Sequence, residues 1–163
     1  MTETPGLRSF EGAAMAGDAT AAMLLVRAGG EPFALDLGSA LEAVELPEIA
    51  PVPEMRDGML GVFALRDVLV PVYAPERVLR LAAPGRYGVA LVLRAGERRI
   101  ALALDDVEDV IHVDFTQLRR PSGLDAGDRV LLGVARHGAT LVSVVDAAAL
   151  VAALTAARNG EDA

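Results

Sequence analysis

The chain has 163 residues and a formal net charge of −8, with 23 acidic residues against 15 arginines, no lysine and no cysteine. That length fits one domain, or two small lobes sharing a core. The composition excludes disulfides, thiolate metal sites and lysine-dependent P-loop or Schiff-base chemistry; acidity, 4% aromatics and no tryptophan speak against nucleic-acid binding.

Residues 1–21 are small, acidic and aperiodic, which predicts a mobile N-terminal tail. No basic start leads into an apolar run and no stretch is long enough to span a bilayer, so the expectation is a cytoplasmic protein without membrane insertion. Met23–Ala28 reads as a strand ending at the Gly29-Gly30 turn, and Glu31–Leu37 as its hairpin partner. Val68–Tyr73 is a further β-rich run. Pro75 ends it, and Glu76–Leu81 reads as a short helical turn. Tyr87–Arg94 and Arg98–Leu104 repeat the hairpin plan around Ala95-Gly96-Glu97, and Val130–Ala135 and Ala139–Val145 are β-rich as well. Asp146 is placed to cap a C-terminal helix reaching Ala157, with 158–163 as a tail. Many short strands with Gly and Pro punctuation indicate a barrel or sandwich.

The chain also repeats itself. Shifted by 67, Leu24–Leu37 falls on Leu91–Leu104 with seven of fourteen positions identical; shifted by 72, Leu60–Tyr73 falls on Leu132–Val145 with six of fourteen, including Leu-Gly-Val at 60–62 and 132–134. Two collinear matches predict a tandem of similar β lobes, roughly 22–82 and 87–157, with room for strand exchange between them.

Catalytic signals are weak. None of Ser9, Ser39, Ser122 and Ser143 lies in a G-x-S-x-G elbow, and neither His112 nor His137 sits in a motif. The acidic run Asp105-Asp106-Val107-Glu108-Asp109 lacks calcium-loop spacing and reads as a solvated face. The expectation is an interaction module with no cofactor and no metal.

Several motifs in order then carry a resemblance: Phe33-Ala34-Leu35-Asp36, Ala40-Leu41-Glu42, Pro51 and Pro53, Gly61-Val62-Phe63-Ala64-Leu65-Arg66, and Val68–Val72 with Pro71. In the second half follow Leu104-Asp105-Asp106-Val107-Glu108-Asp109-Val110 and Leu132-Gly133-Val134. Over residues 23–154 the chain resembles the CheW-like chemotaxis coupling proteins. The resemblance implies a mainly β fold of two SH3-like five-stranded β barrels with a short C-terminal helix. It implies a non-enzymatic adaptor that binds the cytoplasmic signalling tip of chemoreceptors in a groove between the barrels. Further implied partners are the histidine kinase regulatory domain and other CheW-like proteins. Glu42 and Arg66 match the family's acidic and arginine positions and are expected beside the receptor groove as a pair, with Leu37, Leu41 and Val145 lining it. The stretch implied to contact the kinase departs from the family at Ala64, Asp67, Ala74, Pro75 and Glu76. The lost Gly, the reversed charge and the added proline there predict an altered turn and weak kinase coupling; the alternative is an ordinary coupling protein bridging receptor and kinase.

Overall fold

Apolar residues in this chain run together without clean alternation, and the fold buries them on both faces of its strands. The structure, a computed structural model, describes residues 8–9, 19–53, 58–81, 87–120 and 129–160. The strands are β1 (Arg8–Ser9), β2 (Thr20–Ala28), β3 (Glu31–Asp36), β4 (Ala40–Glu45), β5 (Met59–Leu65) and β6 (Val68–Tyr73), then β7 (Val89–Ala95), β8 (Arg98–Leu104), β9 (Asp106–Asp114), β10 (Leu131–His137) and β11 (Thr140–Val145). Helix α1 (Glu76–Leu79) follows β6, and α2 (Ala147–Gly160) follows β11. The Asp146 carboxylate accepts from the Ala149 amide at 3.2 Å and caps α2 as expected. Among the described residues, no helix is long and apolar enough to cross a membrane.

Sheet one has the order β1-β4-β7-β8-β6-β5, and sheet two the order β10-β11-β3-β2-β9. By the internal repeat, β2 to β6 correspond to β7 to β11. Leaving β1 aside, the two sheets then have the same order, and each takes its central hairpin from the opposite half of the chain. Hairpin β2–β3 sits in sheet two and β7–β8 in sheet one, and each is joined by one parallel pairing, Ser143↔Phe33 and Val72↔Ala101. Sheet membership therefore cuts across the halves 22–82 and 87–157.

Three apolar clusters follow from this layering. The largest lies between the sheets: Leu24 and Val26 face Leu91, Leu93, Ile100 and Leu102, with Leu150, Val151 and Leu154 of α2 against them. The odd-even complement of the same strands fills the far faces, Val92 and Ala101 with Phe63, Val70 and Val72 in one cluster, Met23 and Leu25 with Ile111 and Val144 in the other.

Two boundaries differ from expectation. Arg8–Ser9 pairs with Ala43 and Glu42, and β2 starts at Thr20, so the segment expected as a tail contributes an edge strand and the start of another. At the other end α2 runs to Gly160, past the expected start of a tail at residue 158, because nothing before Gly160 breaks an Ala-rich helix.

Candidate functional site

Glu42 is the only buried charged residue among those described, at 7% exposure. A register shift between Ala40 and Glu42 in the pairing with β7 re-aims the side chains of β4 there. A carboxylate taken out of water needs a cation or donor, and Arg66 supplies it through a hydrogen-bonded ion pair from Nη2 to Oε2. Arg66 stands at the tip of the β5–β6 hairpin with its side chain 59% exposed, so the pair joins a buried anion to a solvent-facing cation.

The hairpin turns on Arg66 and Asp67, both left-handed at φ 49° and 71°. Two positive φ values in a two-residue loop are what the right-handed twist of the flanking strands asks for, and aspartate tolerates that region better than most residues. The loss of the family's glycine therefore leaves the hairpin itself in place.

The outer face of this hairpin is apolar. Ala64 lies opposite Leu69, and Val62 opposite Pro71. Leu69 is 68% exposed and Val68 47%. With Tyr73 and Ile100 they line an open groove of about 630 Å³ whose rim carries Arg98 and Arg99. Leu69 did not emerge as a site residue from sequence reasoning. The signal was present in the alternation of β6, where Val70 and Val72 point inward and so turn Leu69 outward.

The other expected site residues are placed differently. Leu37 and Val145 are buried in the inter-sheet cluster and Leu41 in the core of sheet one, at 5%, 0% and 5% exposure. Core packing, rather than a groove, takes these side chains. Ala64 and Asp67 are exposed; Ala74 is half-buried, its amide bonded to the Gly58 carbonyl at 2.6 Å; Pro75 is buried at the start of α1. Glu76 turns inward rather than to the rim: its Oε1 accepts from the Tyr87 hydroxyl at 3.0 Å, and its Oε2 is buried without a hydrogen-bond partner among the described residues. The acidic run opens β9, where Glu108 holds Arg27 at 2.9 Å; just before it Asp105 accepts from the Gly30 amide at 2.8 Å, tying the β2–β3 turn to the corner before β9.

Tyr87 reports on this inward carboxylate. Burial, then its hydrogen bond to Glu76 and the nearby negative charges of Glu76 and Asp105, push the phenol up to about 12. The unfolded chain releases that proton near pH 10, the folded chain about two units later. Between these values the folded state binds more protons, so stability falls as pH rises. Tyr87→Phe should flatten that part of a Tm-against-pH curve; an unchanged curve would detach Tyr87 from it.

A CheW-like domain family model matches residues 22–155. Among solved structures, the scaffolding protein TtCheW from Thermoanaerobacter tengcongensis superposes with a TM-score of 0.67 at 18% identity, covering 76% of this chain and 87% of that one. That likeness extends the fold. No curated protein sequence matches the chain.

Proposed function

Because this chain belongs to the CheW-like domain family, through a match over residues 22–155, we propose that it is a non-enzymatic adaptor of a bacterial chemosensory system, working in the cytoplasm and binding the signalling tip of chemoreceptors. The observation that carries this reading is the Glu42–Arg66 pair. Two residues far apart in sequence, picked out by the family's pattern, are held together by a buried carboxylate, and the arginine keeps most of its surface for a partner. Opposite charges so placed fix the register of a docked helix more than they add affinity. Each sheet is taken to be a closed SH3-like barrel. In support, the segment leaving β4 bonds to β5 through Ala50 and Val62, and the segment leaving β9 bonds to β10 through Arg119 and Val134.

In this proposal coupling to a kinase regulatory domain is weak, an idea that now rests on Ala64 and Asp67, since Pro75 and Glu76 face inward. A second reading, an ordinary coupling protein that bridges receptor and kinase, is favoured by exposed Val68 and Leu69 on the same hairpin. Titration against a receptor signalling-tip fragment and, separately, a kinase regulatory domain tests both. Receptor binding alone supports the first reading and binding to both the second; binding to neither removes both. Arg66→Glu should keep the native circular dichroism spectrum at a lower Tm, since it sets a second carboxylate beside Glu42, and weaken receptor binding at least about tenfold, or 1.4 kcal/mol. Unaltered affinity takes Arg66 out of the site.

A further inference from the structure

Sheet two gathers positive charge that the adaptor reading does not use. Arg119 and Arg120 follow the end of β9 and Arg136 stands on β10; all three line one cleft of about 840 Å³. The segment carrying Arg119 is fixed to β10 by backbone bonds of 3.0 and 2.7 Å with Val134. Arg120 is anchored as well, its Nη1 donating to the carbonyls of Leu131 and Leu132 at 3.2 Å each.

Among the described residues no acid pairs with these arginines, whereas elsewhere Arg27 pairs with Glu108 and Arg66 with Glu42. One acid, Asp114, lines the cleft, and its carboxylate is taken by the backbone amide and hydroxyl of Thr116 at 2.9 and 2.6 Å. Three guanidinium groups lining one cleft repel one another, and an entering anion lowers that repulsion. The charge belongs to the second half alone: shifted by 72, Arg136 corresponds to Ala64, while Leu141 corresponds to Leu69.

The geometry points to a binding site for a small phosphoryl-bearing anion, its oxygens held by Arg119, Arg120 and Arg136. Planar guanidinium groups take phosphoryl oxygens bidentately. Leu141, 61% exposed, and Val134 form an apolar floor for the rest of such a ligand. The site lies on the sheet opposite to the one holding Glu42 and Arg66.

Inorganic pyrophosphate is the probe, titrated by calorimetry at ionic strength held constant with sodium chloride. Saturable binding is expected, with a Tm rise of about 3 °C or more at ten times Kd. The double variant Arg119→Gln/Arg136→Gln should keep its circular dichroism spectrum and bind at least about tenfold more weakly. Arg98→Gln/Arg99→Gln, on sheet one, should bind like the parent protein. No saturable binding, equal binding by the Arg119/Arg136 variant, or equal weakening by the Arg98/Arg99 variant overturns the site.

Discussion

Val72→Arg should abolish cooperative folding. Val72 is fully buried in the core of sheet one, beside Phe63, Val70, Val92 and Ala101. It sits between two neighbours in the sheet, antiparallel to Gly61 on β5 and parallel to Ala101 on β8, so the side chain has no path to solvent along the strand. An arginine there adds volume to a packed cluster and brings a charge that the surrounding aliphatic groups cannot pair. The two effects together exceed about 4–5 kcal/mol, comparable with the whole stability of many domains of this size. Far-UV circular dichroism and a thermal melt check it. Val68→Arg is the internal control: it has the same parity on the same strand, is 47% exposed, and should melt like the parent protein. A native melt for Val72→Arg would mean that the inward face of β6 is misassigned.

Gly61→Ala is expected to be nearly as damaging, for a backbone reason. Gly61 has φ +145°, and a Cβ there would overlap the Ala50 carbonyl oxygen and come within 2.6 Å of Ile49 Cγ2. This is where the segment leaving β4 crosses β5, through hydrogen bonds of 2.8 and 2.9 Å between Ala50 and Val62, and where the β5–β6 register shifts. The added methyl must break that crossing or hold a backbone conformation that alanine avoids, a loss of about 3 kcal/mol. Gly30→Ala separates the two contributions. It also has positive φ, +80°, but nothing within 4 Å of its Cβ position, so only the conformational cost of about 1–2 kcal/mol applies. Equal melting temperatures for the two variants would refute the crossing argument.

The same position explains part of the internal repeat. Gly133 is the counterpart of Gly61: it lies at the equivalent register shift in β10, and its Cβ would be 3.0 Å from the Arg119 carbonyl. Glycine recurs at 61 and 133 because each half closes one chain crossing there, and an added Cβ would press on the crossing carbonyl, hardest at Gly61. The glycine of the repeated trio thus has a steric cause.

Local patterning determined much of this protein. Hairpins β2–β3 and β7–β8, strands β6, β10 and β11, the helical turn after Pro75 and the Asp146 cap are all legible, because turn glycines, β-branched runs and caps act over a few residues. The strand at Ala40–Glu45 is not legible, since its burial on both faces erases alternation. Pairing between Glu42 and Arg66 came from the family's pattern, and the fold supplied its reason in the buried carboxylate. Tertiary structure alone decided that the halves exchange hairpins, because two hairpins so alike in sequence fit either sheet and only packing selects between them. It also decided that Leu37, Leu41 and Val145 are core, that Glu76 turns to Tyr87, and that Arg136 of β10 meets Arg119 and Arg120 of the segment after β9 in one cleft. Each of these depends on which strand lies beside which, a long-range choice that no local pattern records.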